Sequence, residues 1–290
     1  MHERVVALLG DGLVDPDAPL LRADDLGTLR GDGVFETILV VDRMAVELDA
    51  HLTRLARSAA ILDLPAPDLH RWRSCAQTVI DAWSGDREMV LKLILTRGVE
   101  GHDAVTGYAI GAPVSPAVLA QRRDGVAVVT LTRGTAPDLA VQAPWLLLGA
   151  KTLSYAMNMA AVRHAERLGA QDVVFTAAAG PETAAGSVLE GPTSTVVIAR
   201  DNCLYTPPVE LGILPGTTQA ALFRAAAATG WRTREQPLRI SDLFAADGVW
   251  LCSSVRLVTR VHTLDGQPLP DAGLTGTLRE LLPLPALTQR

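Results

Sequence analysis

Trp145-Leu146-Leu147-Leu148-Gly149-Ala150-Lys151-Thr152-Leu153-Ser154-Tyr155 is the stretch from which the rest of this chain is read. Of the 26 basic residues only Lys92 and Lys151 are lysines; the others are arginine. An arginine stays protonated in a protein, whereas a lysine can lose its proton and condense with a carbonyl. Lys151 therefore stands out twice, by its rarity and by the apolar run before it. Taken alone it has two readings: an amine snorkelling from a strand end into water, or a reactive amine.

Outward from this stretch, composition sets the class. With 48% hydrophobic and 20% charged residues over 290 positions, the chain is an ordinary globular one with material for two domains. A net charge of −6 gives no drive toward nucleic acid or an anionic membrane. Three cysteines, Cys75, Cys203 and Cys252, have no paired spacing, and the histidines form no HxxxH or HExxH pattern. A disulfide scaffold and a metal site are therefore not expected. The N-terminal stretch lacks the features of a signal peptide, and no apolar run reaches about 20 residues, so a cytoplasmic protein is expected.

Periodicity places the elements. Val34–Val41 is β-branched and apolar and reads as a buried strand after the turn Gly31-Asp32-Gly33. Leu48–Leu62 carries Leu52, Leu55, Ala59 and Leu62 at helical spacing and is stopped by Pro65. Leu69–Trp83 is a second helix and Met89–Thr96 a second strand. Ala112-Pro113-Val114-Ser115-Pro116 and the polar Gln121–Gly125 mark a junction, dividing the chain into domains over 1–118 and 119–290. Beyond it, strands are expected over Val126–Thr132, Asp172–Thr176, Thr195–Ala199, Val249–Leu251 and Leu257–Val261. Helices are expected over Ser154–Leu168 and Thr217–Thr229. The fold class is α+β in two lobes.

Three further segments carry chemistry. Gly212-Ile213-Leu214-Pro215-Gly216-Thr217-Thr218 opens a helix, where free N–H groups and the dipole favour an anion; a threonine simply capping the helix is the alternative. Glu190 stands before an apolar strand, either to pair with a cationic ring nitrogen or as a solvated turn residue. Ser253-Ser254 follows a strand and offers hydroxyls to a phosphate or to a turn. In order, these are a lysine amine, a carboxylate for a ring nitrogen, and a phosphate cradle, the parts that hold pyridoxal 5'-phosphate.

With these parts in place, the chain resembles the class IV, fold-type IV, pyridoxal-phosphate enzymes over nearly its whole length. Gly31-Asp32-Gly33-Val34-Phe35-Glu36-Thr37 is similar to the family's GDGxFE motif, and His51-Leu52-Thr53-Arg54-Leu55 to its HxxRL helix. Lys151–Tyr155, Glu190-Gly191-Pro192-Thr193-Ser194 and Leu214-Pro215-Gly216-Thr217-Thr218 are similar to its lysine, glutamate and phosphate-loop segments. The chain departs from the family at Thr195-Val196-Val197, where Asn, an apolar and an aromatic residue are usual, and at Thr217-Thr218-Gln219.

The resemblance implies a two-lobed fold with the cofactor in the cleft between domains, and a homodimer. It implies Lys151 as the Schiff-base lysine and Thr37 near the reacting atoms. Arg54, Gly216, Thr217, Thr218, Ser253 and Ser254 are implied as phosphate-binding, with Ser254 the better counterpart of the two serines, and Glu190 as the partner of the ring nitrogen. Phe35 and Arg97 are the expected substrate contacts. Within the family, GDGVFET, KTLSY and GTTQ are most similar to 4-amino-4-deoxychorismate lyase, which makes 4-aminobenzoate and pyruvate for folate synthesis. The rival is an aminotransferase of D-amino or branched-chain amino acids, and a third reading is a phosphate-ligand binding protein without catalysis.

Overall fold

Val34 to Val41 organises the first half of the molecule. In the computed structural model, which describes residues 4–134, 139–178 and 186–284, this run forms the strand Gly33–Val41. The chain folds as two compact units: one holds the residues up to Ser115 together with Ala150–Tyr155, the other Pro116–Gly149 and Ala156–Pro283.

The first unit contains β1 (Val5–Leu8), β2 (Gly12–Val14), α1 (Leu26–Arg30), β3 (Gly33–Val41), β4 (Met44–Ala45), α2 (Leu48–Ile61), α3 (Leu69–Ala82), β5 (Glu88–Thr96) and β6 (Thr106–Pro113). Its six strands form an antiparallel sheet in the order β2-β1-β6-β5-β3-β4. Alternation along β3 sends Val34, Glu36 and Ile38 to one face, where all three are fully buried, and leaves Phe35 and Thr37 half-buried on the other. Helices α2 and α3 cover the first face. His51 and Arg54 of α2 bond to Glu36, and Val79 of α3 lies so near Gly111 that a Cβ there would approach it to 2.8 Å.

One edge of β3 pairs with β5 along its full length, from Gly33↔Thr96 to Val41↔Glu88. On the other edge β4 covers only Val40 and Val41. The vacant part of that edge takes the Lys151 segment. Val34 bridges Thr152, the Phe35 N–H donates to the Lys151 carbonyl at 3.1 Å, and the Leu153 N–H donates to the Gly33 carbonyl at 2.8 Å. The turn before β3 has little freedom. Gly31 is left-handed at φ 66°, and a Cβ there would meet the Ser154 hydroxyl at 2.7 Å.

The second unit contains α4 (Pro116–Asp124), β7 (Val126–Thr132), α5 (Leu139–Gln142), α6 (Ala156–Arg167), β8 (Asp172–Thr176), β9 (Glu190–Gly191), β10 (Ser194–Arg200), β11 (Cys203–Thr206), α7 (Thr217–Ala228), β12 (Arg232–Glu235), α8 (Ile240–Phe244), β13 (Gly248–Ser253), β14 (Leu257–Leu264), β15 (Gln267–Pro268) and α9 (Thr275–Glu280). The sheet runs β12-β11-β10-β13-β14-β7-β8, with β9 beside β10 and β15 beside β14. It is mixed: β11 with β12, β14 with β7, and β7 with β8 are parallel. Strand β8 is buried along its whole length, because Val174 joins a core with Val196, Ile198 and Leu251 while Val173 and Phe175 join another with Leu189 and Ile213.

The α+β class holds, and each strand and helix expected above forms, with ends displaced by a few residues. The division of the chain differs from the sequence expectation in two ways. It falls after Ser115 and not after residue 118, because Pro116–Asp124, read in part as a polar break, is helix α4 of the second unit. The Lys151 segment belongs to the first unit, drawn there by the edge of β3. The apolar run ahead of it is no strand. Pro144–Leu146 is a 3₁₀ turn, and Trp145 and Leu146 are 74% and 43% exposed. Among the described residues no helix is long and apolar enough to cross a membrane, and no group of three metal-ligating side chains occurs.

Asp25, 1% exposed, fixes the approach to β3. Its carboxylate accepts from the Gly27 N–H as the N-cap of α1, and from the hydroxyls of Thr96 and Thr106 at 3.0 and 2.7 Å. Asp25→Ala removes a cap and strands two hydroxyls, so a loss of about 2–4 kcal/mol is expected in urea unfolding. A loss under about 0.5 kcal/mol would show that the cluster is not holding the turn.

Candidate active site

Two groups of polar side chains stand out, one in each unit. The first surrounds Lys151, which is 8% exposed. Its backbone is held at both ends: the N–H donates to the Ser58 hydroxyl of α2 at 3.0 Å, and the carbonyl accepts from Phe35. Its Nζ lies 4.6 Å from the centre of the Phe35 ring and 5.4 Å from that of Tyr155, and 3.4 Å from the Tyr155 hydroxyl. The two rings meet edge to face, 5.1 Å apart at 84°. A buried amine flanked by rings is stabilised when charged, yet is spared the full hydration that would keep it inert.

On the helix side of β3, Glu36 is fully buried and accepts from Arg54 through both oxygens, Nε at 2.8 Å and Nη2 at 2.7 Å. His51 Nδ1 lies 2.7 Å from the same carboxylate. Burial pushes the Glu36 carboxyl up, but the Arg54 charge, its hydrogen bonds and His51 outweigh it and leave the group at about 2. Burial lowers His51, against the pull of Glu36. The spacing is legible: one helical turn separates His51 from Arg54, so both reach one point on β3.

The second group surrounds Glu190, whose two oxygens are separately held. Oε1 accepts from Arg133 Nη1 and Oε2 from the Leu214 N–H, each at 3.0 Å. Arg133 also donates to the carbonyls of Gly212 and Leu211, at 3.1 and 3.2 Å. Burial lowers the Arg133 guanidinium and Glu190 opposes that shift. Arg133 thus binds the glutamate to the loop before α7.

That loop ends at Gly216, the N-cap of α7, which supplies no side-chain cap; the first turn carries no acid, and Thr217 and Thr218 are buried. A helix start buried without a capping side chain is a place for an anion. Thr195 stands opposite Glu190 in the ladder, and its Oγ1 lies 2.2 Å from where a Cβ on Gly216 would be, so only glycine fits there. Ser253 ends β13, paired to β10, and Ser254 opens the turn that follows. This turn is anchored by Arg256, whose Nη2 donates to the buried Asp172 at 2.6 Å.

The structure thus gathers Lys151, Phe35, Thr37 and Arg54 on or beside β3. It gathers Glu190, Gly216, Thr217, Thr218, Ser253 and Ser254 on or beside β10, β13 and the start of α7. Arg97 is engaged elsewhere. Its Nε and Nη2 donate to Asp32 at 2.7 and 3.2 Å, and Nη2 and Nη1 donate to the carbonyls of Leu62 and Asp63. Taking a substrate carboxylate would require it to give up Asp32. Sequence reasoning missed Tyr155, Ser58 and Arg133. Tyr155 was within reach of it, four residues after Lys151; Arg133 and Ser58 are far from their partners in sequence and carry no local signal. The cysteine thiols Cys75, Cys203 and Cys252 are buried, and burial pushes Cys75 up to about 11 and Cys252 to about 12.

The donor set suits pyridoxal phosphate: a buried amine for an aldehyde, a clamped carboxylate for a ring nitrogen, and an uncapped helix start cleared by Gly216 for a phosphate.

The Glu36 cluster sets an acid response. Its folded value near 2 lies below the ordinary 4.5, so the stability it contributes is present above pH 4.5 and is lost as pH falls toward 2. His51 adds to the loss below its ordinary 6.5, because the unfolded chain takes a proton that the folded one resists. Glu36→Gln, which leaves Arg54 buried without its counter-charge, is expected to lose about 3–5 kcal/mol at pH 7. Its stability should also change less between pH 4.5 and 2 than that of the unaltered chain. Equal slopes in denaturant titrations across that range would contradict this.

Comparison with known proteins gives the family. The chain is 48% identical over 295 residues to a bifunctional aminodeoxychorismate lyase / D-amino acid transaminase of Mycobacterium tuberculosis, covering 99% of this chain and 100% of that one. A solved structure described as a hypothetical aminotransferase from Mycobacterium tuberculosis, PLP-bound form, superposes with a TM-score of 0.92 at 50% identity, over 96% of each chain. A fold IV-transaminase from Curtobacterium pusillum superposes with a TM-score of 0.90 at 40% identity, over 96% of this chain and 97% of that one. Residues 33–264 match the family model of amino-transferase class IV, and the chain belongs to that family.

Proposed function

We propose that this chain is a cytoplasmic pyridoxal-phosphate enzyme. It cleaves 4-amino-4-deoxychorismate to 4-aminobenzoate and pyruvate, and has D-amino acid transamination as a second activity of the same lysine. The observation that carries the chemistry is the Lys151 amine, buried between the Phe35 and Tyr155 rings. The choice of substrates is supported by the near full-length likeness to the bifunctional relative.

When bound, pyridoxal phosphate supplies an aldehyde that condenses with amines and a ring that accepts an electron pair. Arg54, Gly216, Thr217, Thr218, Ser253 and Ser254 take its phosphate. Glu36 and His51 fix the Arg54 fork in advance, which removes the ordering cost at the moment of binding. Glu190 holds a proton on the ring nitrogen. Arg133 fixes that carboxylate in position through its hydrogen bond.

Once displaced by the substrate amine, Lys151 is the base. In the lyase reaction its amine removes the ring proton at the amine-bearing carbon, then gives a proton to the departing enolpyruvyl group. In transamination the same amine would carry the substrate's Cα proton. The Tyr155 hydroxyl and the two rings hold Nζ in place while it carries that proton. Thr37 and Phe35 line the side of β3 toward which the amine lies.

The same reading includes a homodimer. Trp145, Leu146 and Met157 are 74%, 43% and 58% exposed, large apolar side chains of the kind that a second copy would cover.

The loaded chain should release 4-aminobenzoate from 4-amino-4-deoxychorismate with no keto acid present, and should form D-glutamate from D-alanine and 2-oxoglutarate. Lys151→Ala should lower both by on the order of a hundredfold or more. Product formation only in the presence of a keto acid would leave transamination and remove the lyase assignment.

A further inference from the structure

The segment that adds to the edge of β3 stops pairing at Lys151, and a side chain of α2 stops it. Val34 and Thr152 face each other between two hydrogen bonds, from Phe35 to Lys151 and from Leu153 to Gly33. In an antiparallel ladder the next pair, Phe35 with Lys151, exchanges both of its main-chain bonds. Here the exchange is halved. The Phe35 N–H donates to the Lys151 carbonyl at 3.1 Å. The Lys151 N–H, which a continued ladder would return to the Phe35 carbonyl, donates instead to the Ser58 hydroxyl at 3.0 Å.

Ser58 is 1% exposed, in a stretch of α2 where Leu55 and Ala59 are also buried. Alanine suits such a place better than serine, whose hydroxyl is costly to bury unless it is bonded. The partner of this hydroxyl is a backbone group 93 residues away in sequence. Arg54 lies four residues earlier, about 6 Å along the helix axis and on the same face. Its guanidinium is fixed to Glu36 of β3 by two hydrogen bonds. One helix thus carries, a single turn apart, the guanidinium assigned to the cofactor's phosphate and the acceptor that holds the backbone of the reactive lysine. With its carbonyl held by β3 and its N–H by α2, the Lys151 backbone has one setting, and its amine lies 4.6 Å from the centre of the Phe35 ring.

We propose that Ser58 is a positioning residue: it sets Lys151 in register with Arg54, so that the aldehyde and the phosphate of one cofactor molecule are engaged together. The assignment rests on the cofactor reading given above. Two contacts made by one molecule reinforce each other only when their spacing matches that molecule. Without the Ser58 hydroxyl the Lys151 N–H returns to the Phe35 carbonyl, the strand grows by one residue, and the amine shifts relative to Arg54. A ligand with the aldehyde but no phosphate has no second contact to keep in register, and it follows the amine without loss.

The test compares pyridoxal phosphate with pyridoxal, which lacks the phosphate, by the concentration that gives half of the visible band. The ratio of the two concentrations measures the advantage that the phosphate confers. Ser58→Ala should cut this ratio by about tenfold, while the pyridoxal value changes by less than about twofold. Ala59→Gly, which softens the same helix and keeps the hydroxyl, should leave the ratio unchanged. Ser58→Cys keeps the size but offers a weaker acceptor; it should cut the ratio by about threefold, and it reads the same quantity if the alanine variant does not fold. An unchanged ratio in the Ser58 variant that folds would overturn the assignment, as would an equal fall in Ala59→Gly, and in both cases the cofactor reading would stand. An unaltered chain that gains no visible band with pyridoxal phosphate would remove both together.

Discussion

The free edge of β3 is the constraint from which the rest of the site follows. Strand β4 is too short to cover it, and an uncovered edge presents backbone groups that need partners. Residues 151–153 satisfy them, although more than a hundred residues of chain separate the two segments. The three contacts there are main-chain hydrogen bonds and a bridge, so they place the Lys151 backbone independently of what its side chain does. The side chain can then be given to chemistry. Ser58 closes the remaining N–H, and the amine is left against Phe35 and Tyr155.

Two charge clusters, one buried and one half-buried, repeat this logic. Glu36 with Arg54 and His51, and Glu190 with Arg133, each set an ionised carboxylate against a guanidinium at hydrogen-bonding distance. Such pairs contribute little net stability, because desolvating the charges offsets their attraction. What they provide is position. Arg54 is held in one orientation by Glu36, and Glu190 is bound to the same loop that leads into α7. A ligand held at both its ring nitrogen and its phosphate would be registered by one arginine, Arg133.

Much of the fold was legible because its strands and helices carry strong periodicity. Val34–Val41, Leu52 with Leu55 and Ala59, and the alanine-rich α7 each declare themselves over a few residues. The site was legible for a different reason: its parts occur in a fixed order, and a rare residue marks the first of them. What escaped was non-local. Trp145–Leu148 is apolar but has no strand to pair with, so composition alone suggested burial where the chain is exposed. Pro116–Asp124 buries none of its residues and so carries no apolar stripe, which hides a helix. Arg97 looked available because its partners Asp32, Leu62 and Asp63 lie far off in sequence. Arg133 and Ser58 could not be found from their surroundings for the same reason.

Lys92 shows the complementary case. Its surroundings are invisible in the segment Met89–Thr96, where it only interrupts an apolar run. The register of three strands gives it neighbours, and those neighbours are apolar on the face that also carries Phe35 and Thr37. With only two lysines in the chain, the central claim, that the amine held at the edge of β3 is the one that engages the cofactor's aldehyde, has a direct chemical test. The chain is loaded with pyridoxal phosphate, reduced with borohydride, digested and mapped by mass spectrometry. The account predicts a single phosphopyridoxyl adduct on the peptide carrying Lys151. An adduct on Lys92 instead, or none on either lysine, would contradict it.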